Sequence, residues 1–282
     1  MSKKLLIIII LAFSVSGIYT QEKGKDKWNF KIWEDDYFYK SRPTIDVTYG
    51  MSQISLKNST LNFKDAGLIE MKLGYTYLQK SHYSKSISRF KNNYLFGSYI
   101  SSKINTKNNP AEDKTWRFGI GNSTGYGYML GKKSSLVLYN SNGMTWTRYD
   151  NGLQPNGSFS VIDDFNQTVR FGTGTEAGII IPIAGFLNLQ AQFDRTLVFP
   201  RHMVWKHLGS VAIEMLGQAA IDGFIREIMK SSPMAGPIIN FVLKNALSYG
   251  IYELRREKMN WPFNSAEPLL FDSFKAGFTF TF

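Results

Sequence analysis

The sequence predicts an all-β transmembrane antiparallel β-barrel of about eight strands, with an α-helical hairpin inserted before the last strand. Three observations predict it. Long stretches alternate apolar and polar residues with period two, the pattern of a strand with two different faces. Those stretches run to about 10–14 residues, whereas strands of soluble proteins average about five or six. A strand of about 9–11 residues tilted at roughly 45° crosses a bilayer. The one long break in the alternation, residues 203–258, has helical periodicity instead.

Taken in order, residues 1–20 read as a secretory signal peptide. Lys3 and Lys4 precede the apolar run 5–13, and Ser14, Ser16, Gly17 and Thr20 follow as a cleavage zone. That apolar run is too short for a spanning helix. Residues 21–42 form an N-terminal segment at the membrane edge. Trp28, Phe30, Trp33 and Tyr37 there are interrupted by Glu34, Asp35 and Asp36, which suit no lipid-facing strand.

The barrel occupies 43–282. Ile45, Val47, Tyr49 and Met51 alternate with Asp46, Thr48, Gly50 and Ser52. Ile69, Met71, Leu73, Tyr75 and Tyr77 alternate with Glu70, Lys72, Gly74 and Thr76. Residues 93–102 are strand-like without assignable faces. Trp116, Phe118 and Ile120 oppose Arg117, Gly119 and Gly121. The run from Leu136 to Trp146 places Asn140 and Asn142 on its apolar phase, which suggests a bulge. Val169, Phe171, Ala177, Ile179 and Ile181 oppose Arg170, Gly172, Gly174 and Glu176. Leu187, Leu189, Ala191 and Phe193 oppose Asn188, Gln190, Gln192 and Asp194. Phe274, Ala276, Phe278, Phe280 and Phe282 close the chain opposite Lys275, Gly277, Thr279 and Thr281. A secreted β-sandwich also alternates, but these strands are too long and their apolar faces too aromatic for one.

The chain has 282 residues, a formal net charge of +11 and no cysteine. Zero Cys excludes disulfides, thiolate metal sites and cysteine nucleophiles together. Only His82, His202 and His207 remain as imidazoles, so neither a metal nor a cofactor is expected. The Lys and Arg are scattered rather than clustered, which argues against nucleic acid. Loss of Lys3 and Lys4 with the signal takes +11 to +9.

The signal, the alternating strands and the ending Gly277-Phe278-Thr279-Phe280-Thr281-Phe282 together resemble bacterial outer-membrane β-barrel proteins. The resemblance covers about 43–199 and 270–282, and the strand count looks like that of the small eight-stranded barrels. It implies the outer membrane of a Gram-negative bacterium, with outer-membrane lipid and lipopolysaccharide as surroundings. It also implies Phe278, Phe280 and Phe282 as the signal read by the barrel-assembly machinery. The helical segment departs from the small-barrel pattern.

If strand one rises from the periplasm, the turns at 130–133 and 182–185 are periplasmic and short. The connections 149–166 and 200–269 are then external and long. The connection 80–92 is periplasmic but not short. Tyr75, Tyr77, Tyr126, Tyr128 and Phe282 fall at the periplasmic interface; Trp116, Trp146, Phe199 and Phe271 fall near the outer one.

An eight-stranded barrel holds little beyond its own side chains. Glu70, Lys72, Arg117, Arg170, Glu176, Asp194 and Lys275 point inward and are expected to form an internal ion-pair network. Inward glycines leave room for the long charged chains. The alternative is a narrow pore for small solutes. In the hairpin, Glu214, Gln218, Asp222, Arg226 and Lys230 form a polar stripe, Pro233 breaks the helix, and Pro237 suits the first turn of a second one. Its apolar surface is expected to cap the barrel, dock a protein partner or enter the outer leaflet. The chain reads as a structural or partner-binding protein rather than an enzyme. A lipid-modifying acyl transferase or hydrolase remains an alternative, with His202 and His207 as weak catalytic candidates near Asp194 and Ser210. There is no Gly-x-Ser-x-Gly elbow.

Overall fold

The computed structural model describes residues 41–57, 65–105, 113–130, 134–150 and 161–282. The signal at 1–20 and nearly all of the 21–42 segment lie outside the described residues. Eight strands follow one another around a closed antiparallel barrel. They are β1 (Arg42–Leu56), β2 (Ala66–Lys80), β3 (Ile87–Ser101), β4 (Lys114–Met129), β5 (Ser135–Asp150), β6 (Val169–Ala184), β7 (Leu187–Val198) and β8 (Leu269–Thr281). A short helix α1 (Ser102–Asn105) follows β3, and a 3-10 turn covers Val161–Asp164. Two long helices, α2 (Val204–Ser231) and α3 (Gly236–Glu257), lie between β7 and β8.

Closure comes from β8, which pairs with β7 on one side and β1 on the other. The start of β1 and the end of β8 meet at one end of the barrel, here the terminal end, where the Phe282 amide donates to the Pro43 carbonyl at 3.0 Å. Connections at this terminal end are short: residues 81–86, 130–134 and 185–186. Gly185 takes a φ of +40° in the tightest of them, a conformation that favours glycine. Connections at the distal end span 57–65, 102–113, 151–168 and 199–268. The terminal connection expected over 80–92 is therefore only 81–86, because β3 begins at Ile87.

The faces follow from alternation and from contacts across the interior. Val47, Tyr49, Met51, Ile69, Met71, Leu73 and Leu95 form an outward belt; Phe274 and Phe278 continue it, and all are exposed. The opposite phase is buried and mostly polar: Thr44, Asp46, Thr48 and Ser52 on β1, and Gln190, Gln192, Asp194 and Thr196 on β7. This arrangement is a soluble protein turned inside out, with apolar groups outside and polar groups within.

Asn140 and Asn142 sit in uninterrupted ladders with both β4 and β6. The expected bulge is absent there. Both asparagines point outward; Asn140 is buried there and Asn142 is exposed.

Candidate functional site: a sealed lumen and a hairpin on the outer wall

The interior is filled in three layers. At the distal end Ile54, Leu68, Ile100, Tyr149, Leu269 and Phe271 turn inward and meet Ile162 and Phe165 from the 3-10 turn and the residue after it. Phe271, expected at the outer aromatic girdle, is instead part of this plug, since its phase on β8 is that of Lys275. At the terminal end Phe90, Val137 and Tyr139 pack with Ile180.

Between the two apolar layers lies a charged one. Lys72 Nζ donates to Glu176 Oε1 at 2.8 Å and Oε2 at 2.7 Å. Lys275 Nζ donates to Glu70 Oε1 at 2.7 Å and stands 3.5 Å from Asp194 Oδ2. Arg117 donates to Asp194 Oδ2 at 3.2 Å, to Thr196 Oγ1 at 3.0 Å and to Ser98 Oγ at 3.1 Å. Three cations thus face three carboxylates with their hydrogen-bonding groups engaged, the condition under which buried charge is tolerated. Uncharged groups complete the layer: Tyr94 donates to Glu176 at 3.0 Å, and Tyr139 to Gln192 at 2.7 Å. The room left among these side chains is a cavity of ≈ 20 Å³, enough for about one water.

Six of the seven charges singled out from the sequence converge here. Arg170 does not: it lies at the distal rim, lining an open depression with Asp164 and Arg201. Its place in the first residues of β6 puts it beyond the plug. Asp46, Tyr94, Tyr139 and Gln192 were missed. Asp46 shares the phase of Thr48 and Gly50, a signal that was available. Several inward glycines lie against the backbone of the next strand, Gly50 and Gly277 among them, and others admit aromatic rings rather than charged chains. A Cβ on Gly121 would collide with the Tyr94 ring, and one on Gly178 with the Tyr139 ring.

The helices do not cap the mouth, which Ile162 and Phe165 already close. They lie along the outer wall. α2 starts at the distal end, where His207 packs edge-on to Phe171 and Phe199 with centroids 5.5 and 5.3 Å apart. It finishes at the terminal end, where Ile225 and Met229 bury Ile87 beside Tyr126 and Tyr128. The turn into α3 is tied there, since Tyr128 donates to the Met234 carbonyl at 2.8 Å. Pro237 occupies the first turn of α3, whose missing donors cost nothing there. α3 then crosses β4, β5, β6 and β7 back to the distal end. Tyr252 there donates to Asp272 at 2.7 Å and packs with Leu197 and Leu270.

The wall beneath is polar where a lipid-facing wall should be apolar. Asn93, Asn122, Asn142, Thr175, Arg195 and Asp272 are successive cross-strand partners, all in outward phase. This row runs from β3 to β8, in the same sense as α3. Arg195 lies 4.2 Å from the centroid of Tyr249 and 5.6 Å from that of Tyr252, both on α3. Asn140, one step from the row, is only 4% exposed although it points outward.

Between the helices runs a polar seam. Lys244 pairs with Asp222 at 2.6 Å, and Gln218 donates to Ser248 at 3.3 Å. Arg255 donates to Glu214 at 2.7 Å and to Ser210 at 3.0 Å. The stripe read from the sequence is therefore the face α2 turns to α3, except that Arg226 and Lys230 are exposed at its end.

The candidate catalytic residues are not brought together as a triad. His202 and His207 are neighbours, with ring centroids 6.0 Å apart. Ser210 Oγ is engaged by Arg255, and Asp194 lies inside the barrel, across the wall from both histidines. Phe278 and Phe280 point outward on β8, and Phe282 is exposed at the terminal end.

No protein-family model matches the sequence, and no curated protein sequence matches it. Several solved structures are similar in shape, these two among them. One is the crystal structure of Neisserial surface protein A (NspA), with a TM-score of 0.41 at 10% identity, covering 86% of this chain and 97% of that one. The other is Ail, the attachment invasion locus protein of Yersinia pestis, with a TM-score of 0.36 at 8% identity, covering 86% and 99%.

Proposed function

We propose that this chain is a bacterial outer-membrane β-barrel whose role is structural or partner-binding and is exercised from outside the barrel, not through it. The observation that carries this is the sealed lumen. Among the described residues, apolar clusters toward both ends and a layer of paired charges between them fill the lumen. An outward apolar belt, short turns at the terminal end and long connections at the distal end suit a barrel standing with that terminal end toward the periplasm. Outer-membrane lipid and lipopolysaccharide are then its surroundings. Phe278, Phe280 and Phe282 are the residues through which the assembly machinery would recognise the last strand. The distal connections and the outer face of the hairpin are what it offers to a protein partner.

The test is recording from planar bilayers containing the purified protein, with insertion verified by the heat-dependent shift of the folded barrel on a gel. Inserted protein is expected to give no stable conductance steps. Reproducible steps above the bare-membrane background would replace this reading with the pore. The acyl-transfer reading has less support, since Ser210 is held by Arg255 and Asp194 faces the lumen.

A further inference from the structure

We propose that α2 and α3 cross the lipid bilayer beside the barrel, so that the protein spans the membrane with strands and helices together. The occupant of the hairpin's outer face is then lipid acyl chain. This rests on the membrane reading above and adds to it, because a spanning barrel requires no spanning helix.

Three observations point to it. The first is length and charge. α2 is long and apolar enough to cross a bilayer, and 11% of its most apolar window is buried. Between Lys206 and Arg226 its only charges are Glu214 and Asp222, and both are paired into the seam with α3. The intervening residues 207–225 cover about 28 Å at 1.5 Å per residue, close to a hydrocarbon core of about 30 Å.

The second is register with the barrel. α2 begins against Phe171, which continues the outward aromatic ridge of Phe118 and Trp146. It ends against Tyr126 and Tyr128. The charged ends of the helix therefore stand at the two aromatic levels of the wall, where headgroups are expected. Between the helix ends Leu216, Phe224, Ile238 and Val242 are exposed.

The third is polarity. The polar groups at the middle of the hairpin are paired between the helices: Glu214, Lys244 and Arg255 are largely covered, and Asp222, half exposed, is held by Lys244. The seam pairs charge with charge and amide with hydroxyl, as helices do in lipid. α3 in turn shields Asn140 and Arg195 on the wall. Cap and mouth-docking geometries explain none of these alignments.

The chain has no native cysteine, so single labels are clean. Met71→Cys on the barrel belt, Leu216→Cys on α2, Val242→Cys on α3 and Lys258→Cys beyond it would each carry a nitroxide. The proteins are reconstituted in phosphatidylcholine vesicles, and collision rates are measured with oxygen and with a neutral, water-soluble nickel chelate. The oxygen-to-nickel ratio is expected to rise several-fold from position 258 to positions 216 and 242, and to match position 71 there. A water-like ratio at 216 and 242 with a lipid-like ratio at 71 would overturn the hairpin proposal and leave the barrel reading intact. Low collision with both reagents at 216 and 242 would also overturn it, in favour of a covering protein or second copy. A water-like ratio at 71 would overturn the membrane reading itself.

Discussion

Replacing Lys275 by methionine gives the sharpest test of the sealed lumen. Lys275 is fully buried, and its Nζ lies 2.7, 3.5 and 3.9 Å from Glu70, Asp194 and Glu176. Methionine keeps the length and removes the charge, so three carboxylates face Lys72 and Arg117 alone. Breaking a buried pair by removing one partner costs about 3–5 kcal/mol. With a urea slope of about 2–3 kcal/mol/M, a loss of about 4 kcal/mol lowers the midpoint by about 1.3–2 M. The assay is urea unfolding in detergent micelles followed by tryptophan emission. Adding Glu70→Gln should recover part of the loss, because it restores the charge balance; contacting pairs of this kind couple by about 0.5–3 kcal/mol. The exposed pair of Lys57 and Glu257 is the control, and Lys57→Met should cost no more than about 1 kcal/mol. A Lys275→Met chain as stable as the parent, or a double variant no better than the single, would refute the idea that these groups act as one compensated layer.

Other outcomes follow from the outer wall. Tyr252→Phe removes a hydrogen bond to the Asp272 carboxylate and should cost about 1.5–3 kcal/mol, read by the same unfolding curves. Arg255→Met strips Glu214 and Ser210 of their partner; limited proteolysis should then cut within the hairpin while the strands stay protected. Removing residues 204–257 uncovers Asn140, Arg195 and Asp272, and an arginine facing lipid costs up to about 2–4 kcal/mol at the midplane. Folded yield into vesicles should fall, and an undiminished yield would contradict the shielding role of α3. Converting His202 and His207 to alanine should leave the acyl pattern of lipid A unchanged, as mass spectrometry would show.

Much of the wall was legible because alternation reports directly on a two-faced strand. The seven best-patterned strands all lie where the mid-height of the barrel keeps polar groups inside. Along β3, and near the ends of the barrel, that rule inverts. Phe90 and Tyr94 turn inward while Arg89, Lys91 and Asn93 turn outward, so β3 could not be assigned its faces. Phe271 inverts the rule at the other end for the same reason: the plug is apolar. Asn140 breaks the apolar phase because what covers it comes from residues about a hundred positions later. Periodicity showed that α2 had a polar stripe, but not that Lys244, Ser248 and Arg255 would meet it. Where an apolar helix buries its surface is a tertiary fact, and local sequence carries no record of it.

Val198 and Leu269 are cross-strand partners, the last rung of the β7–β8 ladder. The excursion between them therefore leaves the barrel and returns to it at neighbouring points, with backbones about 5 Å apart. A connection of two or three residues could join the same rung without moving either strand. The hairpin is thus a module spliced into what is otherwise an ordinary strand-to-strand turn. Its gain or loss asks nothing of the barrel's register, only of the few outward side chains that have come to depend on its cover.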